Sequence, residues 1–266
     1  MTRYIYAILF IILLASCTAS LRPESSRVDK SKNTTNLTLA FENMAGGVPV
    51  HLNLDTFVNV NGEKFTVSLL QYFISNISLK ESDGTVITLP QDSSYYLVKE
   101  SDEKSRNITL MVPEGRYESV TFVLGVDSLR NTKPLAERTG VLDPATGAAG
   151  MYWSWNSGYI FFKMEGYSEA TPPSKSNDHK FRYHIGLFGG MNSPTVNNVK
   201  TITLDLPKVK VKAKNNPVVH ISTDILKVFT GKNTISIAKN PTVMVSPFSA
   251  NIADNYASMF SVLKVD

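Results

Sequence analysis

The side chains with most chemistry to offer in this 266-residue chain are four histidines, two tryptophans and one cysteine. Both tryptophans fall in the run Met151-Tyr152-Trp153-Ser154-Trp155-Asn156-Ser157-Gly158-Tyr159-Ile160-Phe161-Phe162. On an extended chain Met151, Trp153 and Trp155 share one face, because side chains alternate. Indole is large and its N–H requires a partner when buried, so by composition the run reads as a core plug with an aromatic lid. The histidines are His51, His179, His184 and His220. Imidazole is both a proton carrier near neutral pH and the commonest metal ligand, although a lone histidine on a strand is more often structural. In Phe181-Arg182-Tyr183-His184-Ile185-Gly186 the alternation sends Phe181, Tyr183 and Ile185 one way, and Arg182, His184 and Gly186 the other. His179 sits in a polar loop and would face away from His184 on a continuous strand. His51, on an expected second strand, is a weaker candidate, and His220, just after Pro217, reads as structural or exposed.

Familiar catalytic signatures are missing. The chain has no Gly-x-Ser-x-Gly elbow, no His-Glu-x-x-His and no phosphate-cradling glycine loop. A hydrolase whose paired carboxylates meet only in three dimensions, about 5–9 Å apart, ranks last, and the expectation is a protein that is not an enzyme.

The one cysteine, Cys17, follows Leu14-Ala15-Ser16 at the end of an apolar run that begins after Arg3. One early positive charge and about a dozen apolar residues make an export signal, too short to cross a bilayer, which takes roughly 20. Small residues before a cysteine are the cutting site of a bacterial lipoprotein peptidase, so Cys17 is expected to carry lipid and to tie the protein to a membrane. Residues 1–16 then form the leader. Residues 17–36 are a polar tether unable to bury enough apolar surface to fold, and 37–266 are a single domain. The expected location is the cell envelope, on the periplasmic side or the outer-membrane surface. With its cysteine spent on lipid, the domain has no disulfide and depends on its core. The charge balance is mild, with 27 basic against 23 acidic residues. The lysines at 208, 210, 212 and 214 alternate at a strand end, as a solvated face or a protected edge does. They lack the aromatic interleaving of a nucleic-acid surface, and no nucleic-acid partner is expected.

Alternation also sets the fold class. Expected strands run over Leu37–Phe41, Val48–Leu54, Phe65–Leu69, Tyr72–Leu79, Val86–Leu89, Tyr95–Val98, Asn107–Val112 and Tyr117–Val126. Asp83-Gly84 marks a hairpin between the fourth and fifth of these. After a long loop at Asp127–Gly150, which in a compact domain is usually functional or disordered, strands resume at Met151–Trp153, Tyr159–Glu165, Phe181–Leu187, Lys200–Lys212 and Val218–Ser222. Ser249–Leu263 has helical spacing, with Ile252, Tyr256, Met259, Phe260 and Leu263 near one face. The expectation is an all-β, β-sandwich-like single domain with long loops and a short C-terminal helix.

The tryptophan run, followed by Tyr183-His184-Ile185-Gly186, resembles the MbnP family. That family comprises copper-associated periplasmic and surface proteins of methane-oxidising bacteria and many Bacteroidetes lipoproteins. Other blocks agree in order: Tyr72–Leu79; Pro113-Glu114-Gly115-Arg116-Tyr117 with Phe122-Val123-Leu124-Gly125-Val126-Asp127; and Ile252–Phe260. The resemblance spans roughly residues 37–263 and implies a β-sandwich-like fold. In the copper-binding members a tryptophan is oxidised to kynurenine by a partner di-haem enzyme of the peroxidase class, and its new aromatic amine joins histidine nitrogens on copper. Imidazole suits copper, and few-ligand geometries suit Cu(I). On this sequence the resemblance points to His184, and to Trp153 or Trp155 as the oxidisable residue, with His51 as a further metal candidate.

Two functions from different classes follow. One is a lipid-anchored protein that handles metal, copper above all. The other is a non-catalytic β-sandwich module that binds a glycan, a peptide or an outer-membrane partner. Tryptophans flat on an open groove would favour the second, and tryptophans buried against His184 either the first or a purely structural role.

Overall fold

A computed structural model describes residues 33–154, 156–173 and 178–266. The leader, Cys17, nearly all of the tether and Trp155 lie outside the described residues. Among those described, the chain runs β1 (Thr34–Ala45), β2 (Val48–Pro49), β3 (Thr56–Val58), β4 (Lys64–Glu81), β5 (Val86–Thr88), β6 (Tyr95–Lys99), β7 (Asn107–Pro113) and β8 (Gly115–Leu124). After the short helix α1 (Ser128–Asn131) come β9 (Tyr152–Trp153), β10 (Gly158–Tyr167), β11 (Lys180–Gly186), β12 (Lys200–Val211), β13 (Val218–Asp224) and β14 (Thr242–Val243). Helix α2 (Ser249–Tyr256) and β15 (Phe260–Val265) complete it. The expected all-β sandwich with a short C-terminal helix is the observed fold.

Two sheets enclose the core. The smaller has the order β15-β13-β1-β2, with β7 also on β1, and the larger β12-β8-β4-β10-β11-β14. β3, β5 and β6 add to β4, and β9 adds to β10. Strand β1 pairs parallel with β13 and antiparallel with β7. Between the sheets Phe260 meets the rings of Phe41, Tyr72 and Phe122 at centroid distances of 6.2, 6.0 and 5.2 Å. These edge-on contacts favour the positive rim of one ring against the negative face of the next. The hydroxyl of the fully buried Tyr72 donates to Asn43 Oδ1 and lies 3.0 Å from Thr223 Oγ1. It thereby ties the large sheet to β1 and β13, as a buried polar group must be tied.

Three elements differ from the sequence expectation. The runs Phe65–Leu69 and Tyr72–Leu79 are one strand, β4. Its inward side chains are Phe65 and Val67, then Leu70, Tyr72 and Ile74, then Ile77 and Leu79. The parity changes twice, once where the register with β10 slips and once at Asn76, whose φ is 50°. Each slip adds one residue without breaking the strand, and such a break in alternation mimics a turn. The second strand is only Val48–Pro49, and His51 to Leu54 form a turn, because Asp55 Oδ2 accepts from the His51 backbone N–H. The C-terminal helix stops at Tyr256, and Phe260–Val265 pair with β13 instead. Tyr256, Met259 and Phe260 satisfy helical spacing, but a strand also buries Phe260 and offers its backbone to an open sheet edge.

The loop between β8 and β9 contains α1 and two single turns of 3-10 helix at Leu135–Glu137 and Gly140–Leu142. Asp127 caps α1 by accepting from Arg130 N. Its other oxygen receives the hydroxyl of Tyr95 and the amide of Asn76.

Candidate functional site

The tryptophan run and the histidine strand meet on the large sheet. β10 and β11 lie antiparallel with Lys163 opposite His184 and Glu165 opposite Arg182. Phe162, Met164, Phe181, Tyr183 and Ile185 point into the core and are wholly buried. The alternate side chains Lys163, Glu165, Arg182 and His184 therefore share the outer face. There His184 Nε2 lies 2.8 Å from Glu165 Oε1. Lys163 stands 3.7 Å from the same oxygen and donates to Gly150 O at 3.0 Å. The His184 side chain is only 12% exposed, so this is a sheltered polar cluster rather than an open surface.

Burial holds the His184 pKa below its usual value, and the nearby positive charges of Lys163 and Arg182 act the same way. The Glu165 hydrogen bond opposes this without reversing it. The imidazole is therefore held toward its neutral form. With Nε2–H donating to Glu165, the lone pair falls on Nδ1, for which no hydrogen-bond partner is found among the described residues. A histidine oriented by a carboxylate on one nitrogen, with the other free to donate electrons, has the arrangement of a metal ligand.

Trp153 reaches this face through β9, which pairs Trp153 with Gly158 and Tyr152 with Tyr159. It is 9% exposed and packs in a second core cluster with Phe73, Met151, Tyr159, Phe161 and Phe188. Its ring covers Gly186: a Cβ added there would lie 2.8 Å from Trp153 Cζ3 and 2.5 Å from Tyr159 O. Gly186 shares the face of His184, two residues along, so the indole covers the position next to that of His184 on this face of β11. Met151, fully buried, shares the Trp153 environment as the alternation requires.

Residues from elsewhere hold the run in place. Asn131, fully buried, accepts from Tyr159 N and donates to Val126 O. Gly158, at φ 68°, leaves room for Asn131 Oδ1, which a Cβ would meet at 2.1 Å. Arg138 lies over the rings of Tyr152 and Tyr159, 5.0 and 5.3 Å from their centroids. Asn156 Oδ1 accepts from Met191 N and Asn192 N, fastening the run to the loop after β11. Asn198 Nδ2 donates to Gly186 O, fixing the floor under the indole.

The remaining candidates lie apart from this cluster. His51 is 60% exposed, and its Nδ1 meets Asp55 Oδ2 at 2.8 Å within its own turn. His179 precedes β11 at φ 48°, with Nδ1 3.1 Å from Thr171 O. His220 bridges two carboxylates on the small sheet, Glu42 through Nδ1 and Asp266 through Nε2. Among the described residues no group of three or more histidine, cysteine, aspartate or glutamate side chains is placed to hold a metal ion. Sequence reasoning overlooked Glu165, Lys163 and Asn131. Glu165 had a legible signal, since it shares strand parity with Lys163 and could be paired with His184 once β10 and β11 were taken as neighbours. Asn131 had none, because it sits in the irregular loop.

The MbnP family model matches residues 34–245, which include every element of this site. Among solved structures, MbnP from Methylosinus trichosporium superposes with a TM-score of 0.57 at 14% sequence identity, covering 81% of this chain and 82% of that chain. At that identity the likeness is one of fold. No curated protein matches the chain.

Proposed function

The chain belongs to the MbnP family, and on that premise we propose that it is a lipid-anchored envelope protein that carries copper, held by His184 and by an aromatic amine made from a tryptophan. It is a carrier and not an enzyme, and copper is its cargo. The observation that supports this reading is His184, oriented by Glu165 and held toward its neutral form by burial, two positions along β11 from the Gly186 that Trp153 covers.

The donors present suit copper in part. His184 offers one uncharged imidazole nitrogen, which copper accepts well. Glu165 belongs behind it, holding the ring by Nε2. A third convergent side chain is missing among the described residues, and intact indole has no lone pair to give. Opening the indole ring of Trp153 or Trp155 to kynurenine would expose an amine and complete a low-coordinate set. The oxidant is expected from a di-haem, peroxidase-class partner outside the cytoplasm. His51, in its separate turn, would be a ligand only to a second, exposed ion.

Lipidation of Cys17 would put this site in the envelope, on the periplasmic side or the outer-membrane surface. The competing reading, a module that stacks a glycan or peptide on open tryptophans, loses its platform at Trp153, which is packed into the core.

The test is intact mass and metal content of the protein purified from its native envelope. The expected result is a mass raised by conversion of one tryptophan to kynurenine and stoichiometric copper, lost in His184→Ala. Native protein with neither copper nor the mass change would end this reading.

A further inference from the structure

A basic corner of the sandwich stands where the chain enters the domain. Along β12 the inward side chains are Ile202, Leu204 and Leu206, then Val209 and Val211. The parity shifts at Lys208, whose φ is 49°, where the register with β8 slips between Asp205 and Val209. Without that extra residue Lys208 and Lys210 would point into the core. With it, Lys208, Lys210, Lys212 and Lys214 are all exposed. The cross-strand neighbour of Lys210 is Arg116, also exposed. Like charges placed directly opposite one another oppose folding, so the pairing is retained against its cost. Among the described residues none of these five cations makes an ion pair. Of the acids nearby, Glu118 pairs with Lys80 at 2.7 Å, Glu81 is buried against Gly115, and Glu114 lies within the corner, its carboxylate accepting from Ala213 N between Lys212 and Lys214; the five cations outnumber these acids. Asp205 lies on the other side of the bulge.

The same corner receives the chain from residues 17–33. Glu114 N donates to Asn33 O, Thr34 pairs with Pro113, and Thr35 Oγ1 donates to Asn216 Oδ1. Asn33 is thus joined through Glu114 to the backbone between Lys212 and Lys214. It is 16 positions beyond Cys17, a span of at most about 58 Å when fully extended. A lipid on Cys17 would thus attach the domain to the membrane through the end that carries this corner.

We propose that the corner formed by Arg116, Lys208, Lys210, Lys212 and Lys214 rests on the anionic phospholipid headgroups of the membrane that holds Cys17. The domain is then oriented as well as tethered. The geometry rests on the anchoring reading above, but the charge attraction exists without the lipid and is measured apart from it. Each basic residue near an anionic surface strengthens partitioning about fivefold.

The experiment uses the mature chain from residue 17 with Cys17→Ser, which folds alone because every buried core residue among those described lies between Leu37 and Phe260. Flotation is compared on vesicles of phosphatidylcholine alone and of equal parts phosphatidylcholine and phosphatidylglycerol. The expected result is binding to the anionic vesicles only, reversed by salt as the Debye length shrinks. The variant K208Q/K210Q/K212Q/K214Q should lose more than about tenfold of this binding, and Arg116→Gln alone about fivefold, both with melting no lower than that of the wild type, since each removes the Lys210–Arg116 repulsion. No binding to either vesicle, equal binding to both, or full binding by the quadruple variant overturns the proposal. So does a wild type that ignores vesicles beside a quadruple variant that self-associates, which would make the lysines edge protection. Lipid on Cys17 is read separately, by the mass of membrane-extracted protein.

Discussion

The indole of Trp153 fills the space that a side chain at position 186 would need, and Gly186 is two residues from His184 on the same face of the same strand. The seat of the aromatic ring on β11 is therefore set by the absence of a side chain.

Gly186→Ala is expected to push the indole off β11. The new methyl group meets both the ring and Tyr159 O, so the cost is that of overpacking, about 1–3 kcal/mol. Denaturant unfolding measures the loss, and near-UV circular dichroism should show a changed tryptophan environment. A variant as stable as the wild type with an unchanged spectrum would mean that the contact is not tight.

His184 should titrate below the ordinary histidine value of about 6.5, chiefly because it is buried. The unfolded chain then takes up this proton first as pH falls. The stability contributed by neutral His184 is present above about pH 6.5 and is lost as pH drops from there toward the folded pKa. Glu165→Gln removes a hydrogen bond and a charge that favour the protonated ring, so it should lower the pKa further. Histidine NMR titration of both proteins checks this, and a rise in the variant would refute the assignment.

Copper should distinguish ligand from orienting residue. His184→Ala is expected to abolish stoichiometric binding, whereas Glu165→Gln should weaken it about 10–100-fold and leave it measurable. Equal loss in both variants would make Glu165 a ligand. Competition with a chelator of known affinity supplies the measurement.

Asp127→Asn should destabilise the fold by about 1–3 kcal/mol, the cost of weakening a half-buried, charge-assisted network. Burial opposes the charge on Asp127, but hydrogen bonds from Tyr95, Asn76, Arg130 N and Gln91 outweigh it and hold the pKa below the usual range. Its contribution is present above about pH 3.9 and disappears as pH falls through the lower folded value. Wild type and variant should accordingly converge in stability in acid and differ at neutral pH. A constant gap across that range would count against the network.

Much of the fold was legible because alternation reports which face of a strand is buried. It failed where one added residue reversed the phase. Leu70-Gln71 in β4 reads as a break but is continuous strand just past a bulge at Ser68, and Met259-Phe260 reads as helix and enters a strand. The site was half legible. The order of the tryptophan run and His184 marked both, but Glu165 depended on knowing which strands are neighbours. Asn131, 28 residues before the Tyr159 it supports, has no local pattern at all.

The parallel pairing of β1 with β13 carries a consequence for how the molecule is made. Glu42 and His220 touch although 178 residues separate them in the chain, and β1 is an inner strand of its sheet. Such distant partners close a very long loop before any contact repays its entropy. The edge of β1 that faces β13 must wait, its backbone groups served by water, until nearly the whole polypeptide has been delivered, whereas its other edge can pair with β7 much earlier. A ribosome-bound or half-translocated chain cannot complete the small sheet, and truncation before Val218 should leave an incompletely folded protein rather than a smaller version of this one.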